Sequence, residues 1–342
     1  MDNIEWSRTD LIDETDEMVS HRQAMKKDKK EDDPGITFQE EQHNRVQMTT
    51  VVVNEKGERE INKKEGTYIT LSIPTLTISD EQGFELLQDT FVQSFNKLHE
   101  NIKFKEGDKI LIIGLGNKTI TPDAIGPFTI DALQKEKLEE EDTPFLLFAP
   151  GVTGQTGLET SEFVRAIADK VKPALIVTID ALATRGTERL CRTIQLTDTG
   201  IHPGSGVGNA RAEISSETMG YPVTAIGVPT VVGAPVIVSD LVDRVFKKMA
   251  AKILERQKPS SRLSVTMDVP VDDSIDLSVT QSIFGEWVNW DKEERQQLFM
   301  EVLTNKVESL IVTPKEIDIW VVQYSILITN ALFEWRKSIL SA

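Results

Sequence analysis

The chain has 342 residues, with 55 acidic against 38 basic side chains and a net charge of −17. That length suits one large domain or two smaller ones, and the charge argues against a nucleic-acid binder and against anchoring to anionic membranes. The one cysteine, Cys191, excludes an internal disulfide framework and fits a reducing cytosol. No stretch approaches the roughly 18 continuous apolar residues of a membrane span, and the acidic start MDNIEWSRTDLIDETDEM lacks the apolar core of a secretory signal, so the expectation is a cytoplasmic protein.

Residues 1–35 read as an arm and linker, with KKDKKEDD at Lys26–Asp33 ahead of Pro34-Gly35. Thr49–Val53 and Thr67–Leu76 alternate as strands do, with Asn54–Gly57 as the turn after the first. Asp80–Leu98 carries Phe84, Leu87, Phe91, Phe95 and Leu98 at helical spacing. Strands follow at Ile110–Ile113, Phe145–Phe148 and Leu175–Ile179, with helices from about Pro122 to Leu133 and over Glu159–Lys170, and another apolar run at Val223–Val232. Such repeated strand–helix units predict an α/β fold with a mostly parallel sheet covered on both faces. From about Gln257 the character changes. Residues 262–285 are mixed, whereas 291–310 and 315–340 read as helices that cover the sheet or mediate assembly.

The chemistry concentrates in Lys109–Pro127, KILIIGLGNKTITPDAIGP. An apolar strand meets Gly114-Leu115-Gly116-Asn117; Thr121 then reads as an N-cap, Pro122 as the first helical residue and Asp123 as a first-turn carboxylate favoured by the helix dipole. Asp123 either starts that helix or serves at the mouth of the sheet, where open sheets place their chemistry. Asn117 can hydrogen-bond across the turn. A second aspartate, Asp180, leaves the strand ALIVTID and either caps a loop, pairs with Arg185, or forms a carboxylate pair with Asp123. Two such carboxyls within a few ångströms share one proton, which supplies a base for water and an acid for a carbonyl.

Other patterns are weaker. GLGNKT fits neither a P-loop nor the GxGxxG fingerprint, and GQTG at Gly154–Gly157 is too loose for a phosphate loop. Cys191 with His202 would be a thiol and base, but a lone cysteine among charged residues is more often incidental. His202 could join Asp123 and Asp180 on a metal, or serve as a hydrogen-bonding loop residue. The glycine cluster GIHPGSGVG at Gly200–Gly208 marks a tight loop, either a structural crossover or a substrate contact.

Longer segments are specific. RTDL at Arg8–Leu11, GLGNKTITPDAIGP at Gly114–Pro127, GVTGQTGLET at Gly151–Thr160, PALIVTIDALATR at Pro173–Arg185, TIQLTDTGIHPGSGVGNAR at Thr193–Arg211 and AIGVPTVVGAP at Ala225–Pro235 resemble, in order, the germination proteases of spore-forming bacteria. The resemblance implies a three-layer α/β/α core with a mostly parallel or mixed sheet, similar to the hydrogenase-maturation proteases, plus a helical C-terminal region. It divides the chain into a propeptide at 1–10, a charged arm at 11–35, a catalytic domain at 36–256 and a mainly helical region at 257–342.

It also implies an aspartic-type endopeptidase whose catalytic pair is Asp123 and Asp180. The implied substrates are small acid-soluble spore proteins, cut after an acidic residue and before a hydrophobic one. The enzyme would be a self-processing zymogen that assembles as a homotetramer inside the spore or forespore, with no direct nucleic-acid or membrane partner. Thr9-Asp10-Leu11 then suggests cleavage between Asp10 and Leu11. No cofactor is implied for the dyad. In the hydrogenase-maturation group the corresponding acids and a histidine bind metal, which keeps a metal-dependent alternative on Asp123, Asp180 and His202, beside a non-catalytic peptide-binding module. Acidic recognition needs local cations. Arg165, Arg185, Arg189, Arg192 and Arg211 lie in or beside the matching motifs, and Arg185 is the favoured substrate contact, with Asn117 a second, against the reading that such arginines bridge subunits or sit on solvated faces.

Overall fold

A computed structural model describes residues 35–61, 63–139, 143–151, 159–203, 212–257, 275–290, 292–302 and 310–340. The expected propeptide, Asp10, Leu11, the charged arm up to Pro34, Gly154–Gly157 and residues 204–211 lie outside these. The chain groups into two units. One holds the residues up to Thr184, Glu188–Val231 and Thr313 onward; the other holds Arg185–Thr187 and Val232–Val312. The expected C-terminal region 257–342 contributes to both.

In chain order the elements are β1 (Ile36–His43), β2 (Val46–Val53), α1 (Glu55–Ile61), β3 (Gly66–Ser72), α2 (Glu81–Leu98), β4 (Ile110–Gly114), a 3-10 turn at Thr121–Asp123, α3 (Ile125–Glu139) and β5 (Phe145–Phe148). There follow α4 (Thr160–Val171), β6 (Leu175–Thr184), β7 (Thr193–Thr197), α5 (Ser216–Met219), β8 (Val223–Gly233), α6 (Ala234–Gln257), α7 (Gln281–Phe284), α8 (Lys292–Val302), β9 (Ile311–Val312) and α9 (Ile317–Leu340).

Local chemistry accounts for several of these boundaries, including three that differ from expectation. The turn expected at Asn54–Gly57 opens α1 instead, because the Asn54 side-chain oxygen accepts from the amides of Lys56 at 3.0 Å and Gly57 at 3.1 Å and so caps a helix. Asp80 caps α2 in the same way, accepting from the Gly83 amide at 3.0 Å. β1, read from the sequence as the end of a linker, pairs antiparallel with β2 through a two-residue turn in which Asn44 takes a φ of 54°. The strand bearing Asp180 does not stop there but runs on to Thr184.

The described strands form one mixed sheet in the order β1-β2-β3-β7-β8-β6-β4-β5, with β9 paired to the end of β8. β4 runs parallel to both β5 and β6, whereas β1–β2, β2–β3, β3–β7 and β7–β8 are antiparallel. The period-2 alternation of strand side chains divides the first unit into layers. Ile110, Ile112, Leu175, Val177, Ile194 and Leu196 face a core shared with α2, α3 and α9. Leu111, Ile113, Ile176 and Leu182 face the opposite core, with Val164 and Ala168 of α4 and Met219 of α5. This is the expected three-layer α/β/α arrangement, with the antiparallel strands added on one side. α9 contributes Tyr324 and Trp335, both fully buried; Trp335 meets Phe95 edge-on at 4.9 Å.

The second unit has its own aromatic cluster. Phe246 of α6 packs on Phe284 at 4.6 Å and Trp287 at 5.2 Å, and Trp287 on Phe299 of α8 at 6.0 Å. The buried Arg295 guanidinium lies 5.8 Å from the Phe246 ring centre and 2.7 Å from an Asp243 oxygen. Among the described residues no helix is long and apolar enough to cross a membrane.

Candidate active site

β4 is buried along its whole length and ends on Gly114. The next amide, that of Leu115, donates to the carbonyl of Ile179 on β6 at 2.8 Å, which ties the end of β4 to the residue before Asp180. Gly116 then takes a φ of +108°, and a Cβ there would stand 2.0 Å from the carbonyl oxygen of Asp123, so only glycine lets the loop close on itself.

The loop wraps around Asp123. The Asn117 amide donates to Oδ2 of Asp123 at 2.8 Å and to its carbonyl oxygen at 3.0 Å. The Asn117 side-chain oxygen accepts from the Thr119 amide at 3.0 Å and its hydroxyl at 2.8 Å. Those bonds are the ones across the turn that its residue type allows. Asp123 sits in the 3-10 turn rather than in the first turn of an α-helix, and Pro122 follows Thr121 inside that turn instead of opening α3. The helix proper starts two residues later, at Ile125.

Asp180 is 4 % exposed and lies on the sheet face of Ile176 and Leu182. Its Oδ1 accepts from the Ala181 amide at 2.9 Å. β4's pairing with β6 ends at Gly114–Ile179, so Asp180 is the first residue beyond that pairing although its own strand continues. Two contacts bring the aspartate segments together. The Thr121–Asp123 turn packs on β6. Gly126, three residues after Asp123, lies so close to the strand ends that a Cβ on it would stand 2.2 Å from the Leu115 carbonyl oxygen and 2.6 Å from that of Ile179. Gly126 was not singled out from the sequence; the signal was its place in DAIGP, one turn after the carboxylate.

The remaining candidates separate. Arg185 belongs to the second unit, as does Thr187, whose amide donates to Asp240 at 2.9 Å. His202 stands 3.6 Å from Glu213, and Glu213 in turn lies 2.7 Å from the Lys64 ammonium, which also binds Glu217. Burial works to lower the Lys64 pKa, but its bonds to Glu213 and Glu217 outweigh it and the net shift is upward. Among the described residues no three His, Cys, Asp or Glu side chains are grouped as metal ligands. Asp123, Asp180 and His202, all described, do not form such a group. Cys191 is fully buried, and burial pushes its thiol up to about 12, which removes it as a nucleophile paired with His202.

Comparison with known proteins gives this arrangement its family. The family model described as germination protease matches residues 12–337. The germination protease of Bacillus subtilis (strain 168) is 37 % identical over 340 residues, covering 95 % of this chain and 92 % of its own. That of Clostridium acetobutylicum is 39 % identical over 321 residues, covering 91 % and 89 %. Among solved structures, the [NiFe] hydrogenase maturation protease HycI from Thermococcus kodakarensis KOD1 aligns over 36 % of this chain and 74 % of its own, at 22 % identity and a TM-score of 0.26. The chain belongs to the germination protease family. It is accordingly a germination-related peptidase, a hydrolase of peptide bonds.

Proposed function

We propose that the protein is an aspartic-type endopeptidase in which Asp123 and Asp180 act as a pair. The observation that carries this reading is the packing of the Thr121–Asp123 turn on the strand that bears Asp180, beside the Leu115–Ile179 hydrogen bond. A water between the carboxyls attacks the scissile carbonyl carbon while Asp123 takes its proton. Asp180 gives a proton to the carbonyl oxygen, and the resulting tetrahedral species collapses as the amine leaves with a proton. The main-chain bond from Asn117 keeps Oδ2 of Asp123 as an acceptor and directs an incoming proton to Oδ1, and the Ala181 amide does the converse at Asp180, holding Oδ1 and leaving Oδ2 for the proton.

In this reading the substrates are small acid-soluble spore proteins, cut after Glu or Asp and before a hydrophobic residue during germination, in the interior of the spore or forespore. The chain is made as a zymogen, removes residues 1–10 by self-cleavage between Asp10 and Leu11, and acts as a homotetramer. Arg185 grips the substrate carboxylate, and Asn117 contacts the peptide. Family membership supports the germination-related peptidase activity on which this reading is built.

The test is a peptidase assay of the full chain and of a form starting at Leu11 on an acidic peptide with one Glu–Ile bond. Asp123→Asn and Asp180→Asn are each expected to lose several orders of magnitude in rate. Full turnover in both would reject the pair. N-terminal sequencing after self-processing is expected to read from Leu11, and Arg185→Ala is expected to erase the preference for an acidic over a neutral residue before the cut.

A further inference from the structure

One row of residues across the middle of the sheet carries buried polar side chains. On the face that bears Asp180, Thr70 of β3 stands opposite Gln195 of β7, and Gln195 stands opposite Gly227 of β8. The next strand is β6. Ile176 donates its amide to the Pro222 carbonyl, and the Thr178 hydroxyl donates to that of Thr224, so the bonds advance together along both strands, as parallel strands require. Two residues further on, that register sets Asp180 beside Ile226 and Gly227. Ile226 points into the opposite core, which leaves Gly227 as the neighbour of Asp180 on its own face.

The row therefore reads Thr70, Gln195, Gly227, Asp180. Gln195 is 1 % exposed, between the buried Thr193 and Thr197 on the face of β7 opposite Ile194 and Leu196. The Thr70 hydroxyl is buried with no hydrogen-bond partner among the described residues. A buried carboxamide costs stability unless its bonds are made, and a glycine within a central strand marks a place where something comes close. Neighbouring strands lie about 4.8 Å apart, so Gln195 and Asp180 are about 10 Å apart at their Cα atoms. Two side chains leaning toward each other over a residue without a Cβ span that distance.

Resting on the carboxylate-pair reading above, we infer that Gln195 is a positioning residue for Asp180: its carboxamide crosses Gly227 and hydrogen-bonds the Asp180 carboxyl. A carboxamide suits a proton carrier. Its N–H donates to the carboxylate before proton uptake, and its oxygen accepts from the carboxylic acid afterwards, so one side chain holds both states in one orientation. No other residue type of that length does both without a charge of its own.

The experiment is steady-state kinetics on the Glu–Ile peptide for Gln195→Leu, Gln195→Glu and Asp180→Asn, each checked for folding by thermal melting. Gln195→Leu is expected to lower kcat about 10- to 100-fold, the value of one hydrogen bond to a charged group, with KM within about twofold. Gln195→Glu is expected to move the pH–rate profile to the acid side and to recover activity there, where the new carboxyl is protonated and can donate. If Gln195→Leu and Gln195→Glu both keep the parental kcat and pH profile while Asp180→Asn is inactive, the inference is overturned and the pair stands. If Asp180→Asn itself is fully active, the pair falls and Gln195 has nothing to position. Should Gln195→Leu fail to fold, the acid-side recovery of Gln195→Glu decides.

Discussion

Asn117 and Asp123 are joined twice through one amide: its N–H reaches the Asp123 carboxylate at 2.8 Å and the Asp123 main-chain oxygen at 3.0 Å. The carboxylate is thus oriented by backbone, in a loop closed by the glycine just before Asn117. Gly116→Ala puts a methyl 2.0 Å from the Asp123 carbonyl at a φ of +108°. Strained φ alone costs about 1–3 kcal/mol, and a clash with main chain adds to it because no side chain can swing away. The expected outcome is a fall in urea midpoint together with a loss of at least about 100-fold in peptidase rate. Retention of both would show that the loop tolerates another closure.

His99 gives the fold a pH limit. Its ring is buried, with Nδ1 2.7 Å from the Phe95 carbonyl and Nε2 2.7 Å from the Thr224 hydroxyl, and burial lowers its pKa to about 4 from 6.5. The folded state binds the proton less readily than the unfolded chain does. The stability associated with neutral His99 is therefore complete above pH 6.5 and is lost as the pH falls toward 4. The loss over that window is about 3 kcal/mol. Urea titrations at several pH values are expected to show it in the parent, and a His99→Gln variant is expected to lack that part of the slope.

Cys191 serves as a reporter. It is fully buried, its thiol is pushed up to about 12, and its carbonyl accepts from the Tyr324 hydroxyl at 3.0 Å. A thiol reagent is expected to leave the native protein unmodified and to label one equivalent per chain only as the first unit opens. Labelling as fast as that of a free peptide thiol in the absence of denaturant would contradict this placement.

In the second unit the buried Arg295 pairs with the half-buried Asp243, and its guanidinium also donates to the Trp290 carbonyl. Removing one partner leaves the other charge without its counter-ion. Arg295→Ala is expected to destabilise this unit by about 1–3 kcal/mol, the value of a hydrogen bond to a charged group, and Arg295→Met with Asp243→Leu by less. Limited proteolysis within Val232–Val312 would read the difference directly.

Apolar runs of β-branched residues made β4 and β6 legible, because strands buried on both faces need no polar alternation. α2 and α9 were legible from their spacing. β1 was not: ITFQEEQH is half-exposed and acidic, and only pairing with β2 makes it a strand. The antiparallel half of the sheet depends on that kind of long-range pairing, as with β3 and β7, some 120 residues apart in the chain. Asp123 and Asp180 were visible as carboxylates after apolar strands. Their local setting was not, because Pro122 produced a 3-10 turn ahead of the helix and β6 outlasted its partner β4. Gln195 could not be singled out, since its interest arises only when Gly227, far along the chain, is set beside it.

α9 packs on α3 and on the turn that carries Asp123, and its Ser325 hydroxyl reaches the Ile125 carbonyl at 3.3 Å. A ribosome releases the chain N-terminus first, so this helix emerges after both aspartate segments and after every described strand. Until then the Asp123 turn has no lid of its own layer beneath it. A nascent fragment thus holds both aspartates yet lacks the buttress for one of them, and the site is completed only once α9 has emerged.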